Sequence, residues 1–393
     1  MVCYSGEHSS SFMASGKDKK QSQQPELAAD ILIPSLTNDV ALNCLARVPR
    51  WHHIILSQVS RPIRSLLFSH QFYTARSILN CTHDLLYIRV GSYSAWPATW
   101  FYIQQKPDPS LTRNGALIRV PQQPLHIESS AYAAVGYKIY VLGGFVDGEF
   151  SSHVWILDCR FHTWERGPNM KMARCGASAA VLGGKIYVAG GGGGPSSSHG
   201  GTHWVESFDP DIGVWEAVPC PDGVRNKWVS DCAIVGGGVC IWVGQTGFKF
   251  DPKTNVWEAF ENELQSGWNG QNCVVNGVLY CYDSCGRFKG FDEVNGRWKE
   301  VNGVVKDLPA YMSGARMVSL EGKLVVVWGE SDLNGVFEHF QKKRMELQWA
   351  EIEVKKDGNG DFWGKVYWWG NIEIPDWILG RCPLFYHCLS VSI

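Results

Sequence analysis

Residues 248–260 read FKFDPKTNVWEAF, and residues 206–218 read ESFDPDIGVWEAV, so the chain carries two near-copies of one segment. In both copies, apolar residues flank a turn-prone run that begins with an acid and a proline. Apolar and aromatic residues on both sides of a Pro, Asp, Asn or Gly turn are typical of two strands joined in a hairpin. A hairpin that recurs along one chain indicates a repeat architecture.

Three further segments extend the repeat. Residues 155–167 and 288–301 keep an acid followed by Trp six positions later, and residues 337–352 form a degenerate fifth copy. Two more apolar runs joined by a glycine-containing turn precede each hairpin, so each unit predicts four antiparallel strands within roughly 40–50 residues. The tryptophans that mark the five copies are Trp164, Trp215, Trp257, Trp298 and Trp349.

Sheets of this size favour a β-propeller. One four-stranded sheet cannot bury both faces until neighbouring sheets stack around an axis, and the recurring Trp on the outer strand then packs between blades. Residues 83–121 supply three strands of a sixth unit, and the stretches 361–370 and 385–393 offer a strand to complete it. We therefore expect a mainly β fold with a six-bladed propeller at 83–393. The five visible repeats fall at about 130–174, 175–227, 228–268, 269–314 and 315–360, and the first blade, 83–121, is closed by the C-terminal strand.

Composition excludes several classes of protein. A formal net charge of −2, without a notable basic run, argues against nucleic-acid binding as the main task. Neither a signal peptide nor a stretch of 18 apolar residues is present, which predicts no membrane span and a cytosolic or nuclear location.

Several of the 13 cysteines fall inside apolar strands, where a reduced Cys is an ordinary core residue. Residues 1–30 are polar and predict a disordered tail.

From Ile31 the periodicity becomes helical, and we expect a small three-helix module over residues 31–76. Thr37 or Asn38 can cap the first helix, and a second helix spans roughly 52–59. The third begins with Ser60 as its cap and Pro62 in its first turn. Three such short helices cannot bury their apolar surface unaided, so a partner or the propeller must cover part of it.

Both modules resemble known families. The repeats resemble kelch repeats, whose mark is a glycine doublet after the second strand and a Trp about 20 residues later; Gly143-Gly144 and Gly190-Gly191 keep the doublet, and the last three units do not. Residues 32–50, LIPSLTNDVALNCLARVPR, followed by LSQVSRPIRSLLFSHQFYTAR at 56–76, resemble the F-box of plant F-box/kelch proteins of the Skp-interacting-partner type. In one departure, Ile63 stands where the family commonly has a Trp, which predicts weaker packing there.

The resemblance implies a function. The F-box would dock into a groove on a Skp-type adaptor, which hangs from a cullin, and the propeller would present a target protein for ubiquitination. The chain is then the substrate-recognition subunit of an SCF-type ubiquitin ligase, with no catalysis, metal or cofactor of its own. The adaptor contacts carried over by the resemblance are Ile33, Pro34, Leu36, Val40, Leu45, Val48 and Pro49. In the alternative interpretation, some of these residues only pack the three-helix core.

Candidate target contacts lie in the connections between blades. Kelch adaptors that resemble this chain can place an Arg in a Met-Ala-Arg-x-Gly slot near the central channel, and here Arg174 occupies that slot. Its donors suit an acidic target; alternatively, Arg174 only bridges blades. The corresponding slots of later blades provide Lys227, Trp228, Trp268, Asn269 and Tyr311.

Two other functions remain as alternatives. One is a kelch interaction scaffold outside any ligase. The other is a copper-oxidase-like propeller enzyme, which needs His and Tyr ligands on the axis and usually a secreted chain; His residues are sparse in units two to six. No catalytic constellation stands out, and the glycine-rich run at 189–203 lacks the following helix that a phosphate-binding loop requires.

Overall fold

The computed structural model describes residues 31–393, except 93–97, 105–114, 126, 193–202, 222, 225, 226, 245, 261–263, 265–269, 284, 305–307, 310, 311, 313, 331–345 and 374–382. The described chain begins with four short helices: α1 (Asn38–Ala46), α2 (His53–Leu56), α3 (Arg61–Leu67) and α4 (His70–Ile78), with a 3-10 turn, Arg50–His52, before α2.

The expected third helix is two helices, so the module has four helices rather than three. Ser60 caps α3 as expected, since its side chain accepts a hydrogen bond from the backbone N–H of Ile63. Ser69 causes the split. Its hydroxyl donates to the Leu66 carbonyl at 2.7 Å and accepts from the Phe72 N–H at 3.2 Å. The Ser69 side chain thus provides a partner for a backbone carbonyl at the end of α3 and caps the start of α4.

The strands that follow form six blades of four antiparallel strands each, and short parallel pairings between outer strands join blades 1, 5 and 6 into one twelve-stranded sheet. Blade 1 holds β1 (Asp84–Ser92), β2 (Thr99–Gln104), β3 (Gly115–Arg119) and, as its innermost strand, β26 (Pro383–Ser392). Blade 2 holds β4 (Ala131–Val135), β5 (Lys138–Leu142), β8 (Val154–Asp158) and β9 (Thr163–Arg166), with a small hairpin of β6 (Phe145–Val146) and β7 (Glu149–Phe150).

The remaining blades follow the same order from the axis outwards. Blade 3 holds β10 (Ser178–Leu182), β11 (Lys185–Ala189), β12 (Val205–Asp209) and β13 (Val214–Val218). Blade 4 holds β14 (Val229–Val235), β15 (Gly238–Val243), β16 (Thr246–Asp251) and β17 (Val256–Phe260). Blade 5 holds β18 (Gly270–Val275), β19 (Val278–Asp283), β20 (Phe288–Asp292) and β21 (Arg297–Asn302). Blade 6 holds β22 (Arg316–Leu320), β23 (Lys323–Glu330), β24 (Glu346–Lys356) and β25 (Phe362–Glu373).

The six blades close into a ring. Their innermost strands contact one another in the cyclic order β4, β10, β14, β18, β22, β26 and back to β4. The ring closes because β26 pairs antiparallel with β1, from Asp84 opposite Ser392 to Ser92 opposite Pro383. The predicted mainly β, six-bladed propeller is confirmed.

Blade 6 departs from the expected register. Trp349 lies on the third strand, β24, and not on an outer strand, so the prediction of an outer hairpin at 337–352 is wrong. Residues 331–345, which include most of that stretch, lie outside the described residues. The outer strand is β25, which contains the 361–370 stretch considered for blade 1, and the blade therefore extends past the expected end at residue 360. The sequence pattern fails here because Lys343, not an acid, precedes Trp349 by six positions.

The repeated tryptophans link neighbouring blades. The indole N–H of Trp164 donates to the Pro121 carbonyl at 2.8 Å, and that of Trp215 donates to the Pro168 carbonyl at 2.8 Å. Trp257 and Trp298 make the same kind of bond to Pro219 and Leu264. Each indole thus reaches the loop that leaves the preceding blade, which explains why the residue recurs once per unit.

The propeller has two ends. We call the end with the turns between first and second strands, and between third and fourth strands, the helix side, because the helical module packs there. The opposite end, with the loops between second and third strands and between blades, is the loop side. Helices and propeller share one apolar core that includes Leu67 and Phe72 from the module and Leu157 and Ile393 from the propeller. The propeller therefore covers part of the apolar surface that the helices could not bury alone.

Candidate functional site

The loop before α1 presents apolar side chains to solvent. Pro34 is exposed, and Leu36 and Val40 are 40% and 48% exposed. The loop is held in place at its start, where the Leu32 N–H donates to the Asn38 side-chain oxygen at 3.1 Å. Exposed apolar groups of this kind are suited to binding a partner protein. We give the name module surface to a set of exposed apolar residues of the helical module, which comprises Pro34, Leu36, Val40, Ile54, Ile55 and Val59.

The other predicted adaptor contacts lie deeper. Ile33, Val48 and Pro49 are half-buried. Leu45 is 5% exposed within the shared core, so it packs the module instead of facing a partner. Ile63 is also 5% exposed and belongs to the same core. The structure thus brings Pro34, Leu36 and Val40 to the surface and assigns Leu45 to the structural role that the sequence left open.

Sequence reasoning missed part of the module surface. Ile54, Ile55 and Val59, in and after α2, are 55%, 64% and 64% exposed. The signal was present in the run HHIILSQV at 52–59, which has more apolar residues than one buried face of a short helix can use. These residues add further exposed apolar side chains to the helical module.

A buried arginine fixes the end of α1. Arg76 on α4 is 1% exposed, and its Nη1 donates to the carbonyls of Ala46 at 2.8 Å and Val48 at 2.9 Å. These carbonyls lie at the C-terminal end of a helix, where a cation is favourable. Burial lowers the pKa of Arg76. No sequence pattern identified this contact, because it joins residues about 30 positions apart.

Hydrogen bonds join the module to blade 2. The Tyr73 hydroxyl donates to the Arg160 carbonyl at 3.2 Å and accepts from Arg50 Nη1 at 3.3 Å. The Arg160 guanidinium stacks 3.4 Å from the centre of the Tyr137 ring and pairs with Asp158 at 2.6 Å. We call this set of contacts between the module and blade 2 the junction. It orients the module surface relative to the propeller.

Two histidines close to the junction are expected to make the stability of the fold depend on pH. Burial is the main cause that lowers the pKa of His53 and of His162 to about 4. The unfolded chain binds these protons near pH 6.5, and the folded chain only near pH 4. Between these values the unfolded state holds more protons, so we expect the melting temperature to fall as pH decreases from about 6.5 to about 4.

Melting curves recorded across this pH range test the expectation. A double variant, His53→Gln with His162→Gln, should show a flatter decrease than the wild type. His52→Gln is the matched control, since His52 is exposed and adjacent to His53. An unchanged slope in the double variant would rule out this origin of the acid sensitivity.

On the loop side, Trp228 is the most prominent exposed side chain among the predicted target contacts. Its indole is 67% exposed and lies over Gly176, where an added Cβ would come within 2.6 Å of the ring. The Gly176 N–H donates to the Ser129 carbonyl at 2.7 Å, so loops from neighbouring blades meet beneath the indole. Lys227 is also exposed beside it. An exposed Trp on a supported backbone is the type of residue that anchors protein interfaces.

A pair of aromatic residues on the loop side was not predicted from the sequence. Phe145 and Phe150 face each other across the β6–β7 hairpin, with ring centroids 6.2 Å apart, and are 39% and 37% exposed. The exposed Asp147 and Glu149 flank them. Because this hairpin is an insertion between β5 and β8, the repeat pattern gave no reason to single it out.

Arg174 does not face a target. It is 0% exposed, and its Nη2 pairs with Glu206 Oε1 at 2.8 Å, while Nη1 donates to the carbonyls of Gly190 at 2.6 Å and Trp204 at 2.9 Å. Its own carbonyl accepts from the Gly144 N–H of blade 2. Arg174 therefore bridges blades 2 and 3, which is the alternative left open by the sequence. Of the other predicted contacts, Trp268, Asn269 and Tyr311 lie outside the described residues.

The described residues contain no group of three or more His, Cys, Asp or Glu side chains placed to hold a metal ion. Among these same residues, no helix has both the length and the apolar character needed to cross a bilayer.

Comparisons with known proteins agree with this geometry. A family model described as FKB95, Kelch-repeats domain, matches residues 100–372, and an F-box domain model matches residues 33–75. F-box/kelch-repeat protein At4g39590 of Arabidopsis thaliana is 34% identical over 377 residues, covering 91% of this chain and 90% of the relative. F-box/kelch-repeat protein At4g39550 of the same plant is 34% identical over 357 residues, covering 85% and 88%.

Proposed function

We propose a function from one premise: this chain belongs to the F-box/kelch-repeat family. It is an F-box protein of the substrate-adaptor type, in which the F-box implies binding to a Skp-type adaptor and the kelch domain implies binding to a target protein. The finer proposal is that it serves as the substrate receptor of an SCF-type ubiquitin ligase, attached through the adaptor to a cullin in the cytosol or nucleus.

The observation that carries the proposal is the separation of two exposed surfaces on one rigid frame. The module surface, with Leu36 and Val40, lies on the helix side, and Trp228 lies on the loop side. In blades 2 to 6, inner strands of five to seven residues separate the two ends, which corresponds to roughly 17–23 Å of propeller. Adaptor and target can therefore bind at the same time without competing.

In this proposal the chain positions the target protein and carries out no chemical step itself. A target held on the loop side has a raised effective concentration near a ubiquitin-conjugating enzyme delivered by the cullin. The shared core and the junction keep the F-box and the propeller in one orientation, so the target is presented at a defined place. We assign the F-box to residues 31–76, the propeller to 83–393 and a tail to 1–30.

Adaptor binding tests the proposal. A double variant, Pro34→Ala with Leu36→Ala, is expected to weaken binding to a purified Skp-type adaptor by at least about tenfold, because each change removes exposed apolar surface from the module. Isothermal titration of the full chain gives the two dissociation constants. Addition of a cullin to the wild-type complex is expected to give a ternary complex on gel filtration.

Trp228→Ala is the control for this experiment. It also removes an exposed apolar side chain, but on the loop side, and should leave adaptor affinity unchanged. If the wild-type chain does not bind the adaptor, or if its adaptor complex does not recruit a cullin, the ligase proposal is wrong.

A further inference from the structure

A cavity of about 270 Å³ lies at the junction. The F-box forms one wall, and blades 1, 2 and 6 form the other. This volume lies just below the range of about 300–1,000 Å³ that is usual for small-molecule sites. A cavity between two modules is also a common location for ligand binding.

Aromatic rings form much of the cavity wall. Trp51 and Phe161 line it, as do Tyr102 and His162, whose rings stack with centroids 4.9 Å apart and planes 22° apart. Flat rings at this spacing offer an apolar surface against which another flat group can pack. The shape and chemistry of this wall favour a ligand with a flat apolar body.

Arg50 brings a positive charge to the same cavity. Its guanidinium donates a hydrogen bond to the Tyr73 hydroxyl at 3.3 Å and lies 5.9 Å from the centre of that ring. Within the described part of the chain, no carboxylate lies at ion-pair distance from Arg50. Arg160, which also lines the cavity, differs because Asp158 neutralises it at 2.6 Å. A guanidinium without an acid partner in a partly enclosed site favours an anion.

Other titratable groups also line the cavity. His53 and His162 are neutral at pH 7 because burial lowers the pKa of each to about 4, and Arg50 adds to that lowering. The carboxylates of Asp84 and Glu321 act on His83, where they oppose the lowering of its pKa. Asp84 Oδ2 also accepts from the Glu321 N–H at 3.0 Å. Since His53 and His162 are both neutral, Arg50 is the group in the cavity suited to hold an anionic group.

We propose that the junction cavity binds a small molecule with one carboxylate and a flat apolar body, and that Arg50 anchors the carboxylate. The ring pair of Tyr102 and His162 packs against the body of the ligand. Because the walls come from both modules, the bound molecule stabilises their contact. The site shares only Ile54 with the module surface and no residue with the target surface, and its test requires neither partner.

Isothermal titration of the full chain with two probes tests the proposal. The first probe is 1-naphthoate, and the second is 1-naphthalenemethanol, which has the same rings without the charge. We expect the carboxylate to bind at least about tenfold more tightly than the alcohol. We also expect 1-naphthoate to raise the melting temperature more than the alcohol does at equal concentration, since a ligand that binds the folded state more tightly stabilises it more.

Substitution of the anchor provides the second arm. Arg50→Gln is expected to weaken 1-naphthoate binding at least about tenfold and to leave alcohol binding unchanged. Arg61→Gln, at an exposed arginine of the same module outside the cavity, should bind both probes like the wild type. The proposal is overturned if 1-naphthoate does not bind the wild type or if the two probes bind it equally. These two outcomes need no variant, so they hold even where Arg50→Gln fails to fold; retention of full affinity by a folded Arg50→Gln would overturn the proposal as well.

Discussion

Replacement of Glu206 by Gln is expected to lower the free energy of unfolding by about 3–5 kcal/mol, because it leaves the Arg174 guanidinium buried without its counter-charge. Both side chains are 0% exposed and 2.8 Å apart. Glu206 also accepts from the N–H groups of Lys171 at 2.7 Å and Met172 at 3.1 Å, one on each oxygen. The amide of Gln has only one oxygen, so one of these bonds is lost too. Urea unfolding followed by tryptophan fluorescence measures the change.

Two further variants separate the pair from other effects. Glu216→Gln makes the same change at an exposed residue on the adjacent strand, β13, and should shift stability by no more than about 0.5 kcal/mol. Arg174→Met combined with Glu206→Leu removes both charges, and should be less destabilising than Glu206→Gln alone. If Glu206→Gln is as stable as the double variant, an uncompensated charge is not the cause of the lost stability.

Removal of residues 383–393 is expected to abolish cooperative folding of the propeller. The deletion takes away β26, so β1 becomes an unpaired edge and the contacts of β26 with β22 and β4 are lost. It also removes Val391 and Ile393, which are 1% and 2% exposed in the core shared with the F-box. The combined loss exceeds the roughly 5–15 kcal/mol that stabilises a typical domain. Thermal unfolding followed by near-ultraviolet circular dichroism should show no sharp transition.

Addition of the missing strand as a peptide is the control. A synthetic peptide of residues 383–393 should restore a cooperative transition to the truncated chain, whereas a scrambled peptide of equal composition should not. A truncated chain that melts like the wild type would show that the pairing of β26 with β1 is dispensable for closure.

The repeat architecture was predictable because its causes are local. A strand–turn–strand unit shows in the alternation of apolar residues around Asp251 and Trp257, and its recurrence implies stacked blades. The helix start at Ser60 was predictable for the same reason, since a cap and the helix it starts are neighbours in sequence. The pattern failed at Trp349, where blade 6 carries a longer connection and the spacing from acid to Trp is lost.

The functional surfaces were less predictable because their geometry depends on distant residues. The sequence places Arg174 on a loop but cannot show that Glu206 neutralises it across a blade interface. It likewise cannot show that Tyr73 meets Arg160, or that Leu45 turns inwards while Leu36 turns outwards. These outcomes follow from packing between elements that are far apart in the chain, and a single sequence holds no record of such pairs.

The pairing of β1 with β26 also constrains when the protein can mature during synthesis. Asp84 emerges from the ribosome long before its partner Ser392, so the ring cannot close until translation has passed residue 392. Blades 2 to 6 have their strands in sequence order and can assemble as they emerge. The core that the F-box shares with the propeller includes Ile393, so it cannot be completed until β26 has been synthesised. A chain whose translation stops before β26 therefore lacks both the closed ring and a complete core beneath the F-box.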